Sequence, residues 1–352
     1  MSYVNAIAYN APHKKQRITT MKPWLGLPIA LPLLVACSSD IDVKSEAVSQ
    51  ARIDSIKQYI HTHYSDLPTK TQQMILEVGV EAIENQVAVK GGTFIMGDFK
   101  ITCDGGPNRD MLRPVWTEDA NCQSFFNNST TNSGSYFQHE VTLSDYSIAK
   151  YETTWKEFDA FRLSQGKEIV RKERRERNKA EPRYQTNAPA WTKDWQEVKN
   201  HCLWLGDLTG LKFDLPTEAQ WEYAARSRGQ NLYYATNNGF IDYTSNGGWK
   251  EFGINYSGDG PNPIGQFEPN PLGLYDMTGN MIEWVNDWYD PHYYRVSPKL
   301  NPQGPSSGEL KVARGGSYGN GEAASMTANR VGFNPIGKYY SSAHGFRCAA
   351  NP

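Results

Sequence analysis

The sequence predicts a loop-rich α+β domain with a short helical annex on its N-terminal side, and three observations carry that expectation. Aromatic residues make up 12% of the 352-residue chain, which also holds 30 glycines and 20 prolines, a composition suited to a fold built largely of loops and turns. Residues 43–90 place apolar residues at helical spacing. Beyond them, strand-like alternation at Thr93 and Ile95 gives way to helical runs at residues 155–161 and 198–208. The length fits one sizeable globular domain plus the annex. A net charge of −2 gives no argument for a nucleic-acid partner.

The chain opens as a targeting signal. Lys14, Lys15, Arg17 and Lys22 form a basic region, and residues 24–36 a short apolar one that Pro28 and Pro32 interrupt. The run is too short to span a bilayer once processed. It ends in Leu34-Val35-Ala36-Cys37, which resembles the lipobox at which bacterial lipoproteins are cleaved, and Met21 is an alternative start. Cys37 is then the lipidated N-terminus, followed by Ser38. The expectation is an outer-membrane lipoprotein, facing the periplasm or the cell surface, whose membrane partner is engaged through Cys37. Four cysteines remain, Cys103, Cys122, Cys202 and Cys348. They allow three pairings in an oxidising compartment, or four free thiols.

In the annex, Ile53, Ile56, Ile60 and Tyr64 share a helical face before Leu67-Pro68 breaks the pattern, and Met74, Ile75, Val78 and Ala82 share a second. The two helices pack on the main domain or space it from a membrane. His61 and His63 read as helix-face residues. Thr93, Ile95 and Gly97 suggest a strand entering a turn. Residues 98–138 are a polar insertion. Val141, Leu143 and Tyr146 restart the core, and Trp155, Phe158 and Phe161 mark a helix. From Lys167 to Arg183 runs a mixed charge segment. It reads as a solvated helix or loop, with a phosphate-binding patch as the alternative. Val198, Cys202, Leu205 and Leu208 line a helix ending at Gly210. Thr217 and Gln220 make a capping box that opens the next one.

The densest stretch runs from Gly260 to Asp290. Pro269, Pro271 and Gly273 force turns. Asp276 and Glu283 then bracket Gly279 and Asn280, with Trp284 and Trp288 one turn apart beyond them. Two hard carboxylates around a glycine turn suit calcium, although no EF-hand loop is present. The plain alternatives are an Asp-initiated turn, a glutamate paired with an arginine, and a core tryptophan pair.

Gly273-Leu274-Tyr275-Asp276-Met277, Gly279-Asn280 and Glu283-Trp284 resemble the signature of the formylglycine-generating enzyme (sulfatase-modifying factor) family. Further landmarks follow the family order: residues 91–97, His139-Glu140-Val141, Tyr151-Glu152-Thr153-Thr154, the segment Leu215 to Arg226, Arg314-Gly315-Gly316-Ser317-Tyr318 and Gly345-Phe346-Arg347-Cys348. The resemblance implies an irregular, C-type-lectin-like fold over residues 88–352, after a signal peptide at 1–36 and the annex at 37–87. It implies a Cys202–Cys348 disulfide, which leaves Cys103 with Cys122. It also implies a structural calcium held by side-chain oxygens of Asp276 and Glu283 and carbonyls of Gly279 and Met281, with Asn246 at a weaker second site.

The resemblance also marks what is missing. Family members that oxidise a sulfatase cysteine hold copper(I) between two thiolates, two and seven residues after the tyrosine of R-G-G-S-Y. Here those positions are Asn320 and Ser325. Neither copper nor cysteine-dependent formylglycine formation is expected, while Ser317 matches the serine of the family groove. Iron-dependent sulfoxide synthases of the family add a histidine-rich helical domain with three closely spaced ligands, whereas the annex here offers only His61 and His63. Two readings follow. The first is a binding or accessory protein for an unknown protein or small molecule, such as a display or toxin-neutralising protein. Tyr318, Asn320, Asn329, Tyr339 and Tyr340 would form its surface, because Tyr, Asn, Ser and Gly suit adaptable recognition. The second is a cysteine-independent periplasmic oxidase resembling the siderophore-maturation members.

Overall fold

The computed structural model describes residues 41–99, 134–192, 194–241, 260–337 and 344–352. Cys37, Cys103, Cys122, Asn246, Tyr339 and Tyr340 lie outside these residues, and with them the lipid anchor, the second disulfide, the weaker calcium ligand and part of the recognition surface. The described residues form an α+β fold with short strands and long irregular connections.

The annex is helical. Helix α1 (Gln50–His63) and helix α2 (Thr69–Glu84) bury Ile53, Ile56 and Ile60 from one and Ile75, Leu76, Val78 and Ala82 from the other. Ser49 caps α1 by accepting the Arg52 N–H. These side chains share one apolar core with helix α3 (Trp155–Ser164) and helix α5 (Trp195–Thr209). The annex is therefore packed on the domain. His61 and His63 are exposed on α1, as their spacing suggested.

Strands β1 (Gln86–Val89), β4 (Tyr146–Ala149), β5 (Lys212–Asp214) and β10 (Ala349–Asn351) make an antiparallel sheet in the order β1-β4-β10-β5. Strands β2 (Gly92–Met96) and β3 (His139–Leu143) form a hairpin-like pair. In β2, Phe94 and Met96 face the core while Thr93 and Ile95 face outward. A third sheet orders β8 (Arg330–Phe333), β7 (Lys311–Arg314), β6 (Ile282–Trp288) and β9 (His344–Phe346), with β6 and β9 parallel.

Strand β6 corrects one expectation. Trp284 and Trp288 lie along a strand, paired across to Ala313 and Lys311 with a bulge between them, and not on successive helical turns. Residues four apart share a face in either geometry, so their spacing alone does not distinguish the two. Lys311 Nζ sits 3.6 Å from the ring centre of Trp195 and 3.9 Å from that of Trp288, and it donates to the Asn286 carbonyl at 2.8 Å. The bulge thus carries a cation between two indole faces.

Helix α5 ends where Gly210 takes φ 72°, a left-handed cap that glycine adopts without a Cβ clash. Cys202 of α5 is bonded to Cys348, between β9 and β10, as the resemblance implied. Helix α6 (Glu218–Ala225) starts at the Thr217–Gln220 capping box, with both reciprocal bonds present. All eight of its residues are buried, including Glu218 and Glu222. The mixed charge run contains helix α4 (Lys172–Arg177).

Candidate functional site

The site is built on the turn after β7. Gly315 and Gly316 take φ 92° and 67°. A Cβ on Gly315 would lie 2.9 Å from the Met277 carbonyl oxygen, and one on Gly316 would lie 2.1 Å from Ser325 Oγ. Only glycines allow the chain to turn this tightly against its own core. The turn presents Ser317, whose hydroxyl donates to Asn320 Oδ1 at 2.7 Å, while the Asn320 N–H donates to the Ser317 carbonyl at 2.9 Å. Asn320 is exposed, so this bond fixes its carboxamide and leaves Nδ2 as a donor facing solvent. Tyr318, half-buried, donates its N–H to the Asn280 carbonyl at 2.9 Å. The groove is thereby joined to the glycine turn of the densest motif.

Ser325 is fully buried and its hydroxyl has no hydrogen-bond partner among the described residues. It lies behind the turn, whereas Asn320 lies in front. Asn329 is buried and ties its Nδ2 to the Ala324 carbonyl at 2.9 Å, so it holds the loop from within. His344 stacks on Trp284 with ring centres 5.0 Å apart and meets Phe333 edge-on at 4.4 Å, and burial lowers its pKa to about 4. Asn334 caps a turn by accepting the Ile336 N–H. Of the described recognition residues, Tyr318 and Asn320 stay at the surface, whereas Asn329 does not.

Copper(I) needs soft thiolates. An exposed carboxamide and a buried hydroxyl at the two ligand positions do not fit it, and the two described cysteines are joined to each other.

The acids of the densest motif sit immediately beside the groove. Arg347 donates from Nε and Nη2 to Glu283 at 2.6–2.9 Å, and Trp221 Nε1 donates to Glu283 Oε2 at 2.7 Å. Glu283 is thus an arginine partner in this structure. A carboxylate has about four lone-pair positions, and these four contacts, two on each oxygen, occupy them. Asp276, with φ 59°, accepts the Gly265 N–H at 2.8 Å, and burial pushes its carboxyl up to about 6.

Sequence reasoning did not single out Glu152, although it belongs to a quoted landmark. It accepts from Asn280 Nδ2 at 2.5 Å and from the Met281 N–H at 2.9 Å. Burial first, then the neighbouring Asp276 and Glu283, hold it well above the usual carboxylate range. Three carboxylates, of which Glu152 and Glu283 are buried and Asp276 half-buried, thus face one guanidinium. No group of three or more His, Cys, Asp or Glu among the described residues is arranged as a complete metal site. A calcium ion here would draw on Asp276 and the Gly279 and Met281 carbonyls, oxygens of the hard class that calcium takes, and would have to displace a donor to reach Glu283.

A second cluster of buried acids lies beside Trp221. Arg314 donates to Glu218 at 2.8 Å and Glu222 at 2.7 Å, Arg330 bridges both oxygens of Glu218 at 2.7 Å, and Arg226 donates to Glu222 at 2.8 Å. All five side chains are 0–1% exposed. No reactant reaches them, so this cluster holds the fold.

Comparison with known proteins supports the architecture. Residues 71–352 match the sulfatase-modifying factor enzyme 1-like domain family. The formylglycine-generating enzyme of Streptomyces coelicolor is 36% identical over 142 residues, covering 38% of this chain and 42% of that protein. The chain therefore spans less than half the length of that curated relative. Among solved structures, PvdO from Pseudomonas aeruginosa superposes with a TM-score of 0.54 at 24% identity, over 76% of this chain and 94% of that one. Treponema denticola variable protein 1 gives 0.51 at 20% identity, over 74% and 95%. Both likenesses concern the fold.

Proposed function

The chain belongs to the sulfatase-modifying factor enzyme 1-like family, and within it we propose that this protein is a cysteine-independent periplasmic oxidase resembling the siderophore-maturation members. The observation that carries the reading is the turn after β7. Ser317 is kept and oriented against Asn320, while the copper-ligand positions hold an amide and a buried hydroxyl. In such a reaction the substrate gives up two electrons and two protons, and dioxygen takes them to become hydrogen peroxide. Ser317 and Asn320 would bind and orient the substrate through the free Asn320 amide. Buried Asn329 would keep the loop in place.

The test is oxygen uptake and peroxide release by the purified protein, given a reduced aromatic siderophore precursor. Turnover above the protein-free control, lowered at least about tenfold by Asn320→Ala (~1.4 kcal/mol in transition-state binding), supports the reading. No uptake with the precursor contradicts it.

A second reading, ligand binding without turnover, is favoured by the exposure of Asn320 and Tyr318 on one loop. Saturable binding of a ligand with no oxygen uptake would select it. In either case the protein acts as a Cys37-anchored lipoprotein. Palmitate labelling of the parent but not of Cys37→Ser supports the anchor, and labelling of both or neither contradicts it. Calcium at Asp276 is part of the same proposal.

A further inference from the structure

A polar cavity of about 260 Å³ opens where the β3–β4 turn, the start of α6 and strands β5, β6 and β10 converge. Its lining includes Ser144, Thr217, Asn286, Asn301, Gln303 and Asn351, and none of residues 315–320. The buried Leu143 and Leu215 also line it. Drug-sized ligands occupy pockets of about 300–1,000 Å³, so this one suits a smaller body.

Hydrogen bonds fix which way each carboxamide points. A lysine ammonium only donates, so Lys199 Nζ, at 2.8 Å, faces Asn286 Oδ1 and leaves Nδ2 as the free end. The Thr217 N–H donates to Gln220 Oε1 at 2.9 Å. Gln220 Nε2 is therefore the end that donates to Asn351 Oδ1 at 2.8 Å, and Asn351 keeps Nδ2. The Ser144 N–H donates to Asn301 Oδ1, and Asn301 Nδ2 donates to Ser144 Oγ, both at 2.9 Å. That leaves the Ser144 hydroxyl its own proton to give. Gln303 Nε2 donates to the Asn301 carbonyl at 3.0 Å and keeps Oε1. Among the described residues, the lining thus keeps donors at Asn286 Nδ2, Asn351 Nδ2 and the Ser144 hydroxyl, and an acceptor at Gln303 Oε1.

Charge is cancelled at the same place. No basic side chain lines the cavity, and its aspartates are both held by lysines. Lys199 meets the two oxygens of Asp214 at 2.7 and 2.8 Å, and Lys90 meets Asp145 at 2.7 Å. A charged ligand finds no unpaired opposite charge among these side chains.

We infer that this cavity is a binding site for a neutral sugar ring. Each sugar hydroxyl offers one donor and two acceptor positions, so one small ring can meet the amide donors and the Gln303 acceptor together. A peptide fragment of that size carries fewer polar groups. The C–H face of a sugar can also cover Leu143 and Leu215, removing apolar surface from water. Each carboxamide is already held at its other end, so binding freezes little further side-chain motion. The site stands whether or not the turn after β7 oxidises a substrate.

The experiment titrates the full chain with glucose, galactose, mannose and N-acetylglucosamine, following binding by saturation-transfer NMR and calorimetry. Saturable binding of at least one of these sugars is expected, and sodium phosphate should not displace it. Asn351→Asp keeps the acceptor that Gln220 uses and removes the free donor, and it should weaken binding at least about tenfold. Gln303→Met removes the free acceptor and should weaken binding about fivefold. Both positions are exposed, so the two variants should melt as the parent does and report on the cavity independently. No saturable binding of any of these sugars, displacement by phosphate, or binding unchanged in both variants would overturn the site.

Discussion

Two charge clusters adjoin Trp221, and they are built from the same chemistry to different ends. In the first, Arg314 Cζ lies 5.3 Å from the indole centre, and Arg226, Arg314 and Arg330 meet Glu218 and Glu222. Asp287, which accepts the Glu218 N–H, is pushed up to about 7 by burial and by Glu218, so it adds little charge at neutral pH. In the second, the indole N–H donates to Glu283, and Arg347 stands alone among Glu283, Asp276 and Glu152. The first cluster is closed, with its guanidiniums capped by the Thr327, Asp290 and Ile95 carbonyls. The second keeps a surplus of acid directly behind the groove. Arginines in excess, capped by backbone carbonyls, fix a fold, whereas an excess of acid is what a cation requires.

The largest effect should come from opening the closed cluster. Glu218→Ala strands buried Arg330, whose carboxylate partner among the described residues is Glu218, and breaking such a pair costs about 3–5 kcal/mol. Urea denaturation should show this, and a loss below about 1 kcal/mol would mean that the two clusters do not differ as described.

The second cluster should instead respond to an ion. Stabilisation follows RT ln(1 + [L]/Kd), about 2.7 kcal/mol at a hundredfold excess of calcium over Kd. Thermal unfolding should rise with calcium and fall with chelator, and Asp276→Ala should remove the response. Identical melting of metal-free protein in calcium and in chelator would show that these acids only support the fold.

A buried group outside both clusters sharpens the contrast. His201 is fully buried among Phe158, Phe161, Trp204 and Phe346, with both ring nitrogens unpartnered, and burial lowers its pKa to about 3. A histidine held neutral contributes stability above its unfolded pKa of about 6.5 and loses it as pH falls towards 3. At pH 5 the loss is about 2 kcal/mol. His201→Phe should flatten the fall in stability from pH 6.5 downward by about one proton's worth. An unchanged slope would mean that the imidazole is solvated. The smallest effect belongs to the groove: Asn320→Ala, at an exposed position, should change stability by no more than about 0.5 kcal/mol. A larger loss would make Asn320 part of the fold.

Local signals made much of this legible. The capping box at Thr217 and Gln220, the Gly210 stop and the apolar faces of α1 and α2 each depend on residues a few positions apart, and each was found where its pattern lies. The closed cluster was not legible, because Glu218 finds Arg314 and Arg330 across 96 and 112 residues. On helical spacing alone an acid in α6 reads as a solvent-facing residue. The Trp284–Trp288 pair was misplaced on a helix because a four-residue interval serves both periods. Arg175 looked solvated because its partner, Asp159, belongs to the preceding helix. At the groove, the absence of thiolates was plain from residue identity. That Ser325 lies behind the turn and Asn320 in front of it required the backbone path set by Gly315 and Gly316.

The central claim is that this groove works without a cysteine pair. The most direct measurement incubates the purified protein with a sulfatase-type cysteine peptide, with and without added copper, and reads the peptide by mass spectrometry. The account predicts no formylglycine above the level produced by free copper. Turnover above that level would contradict it, because neither Asn320 nor Ser325 can supply the thiolate such a reaction requires.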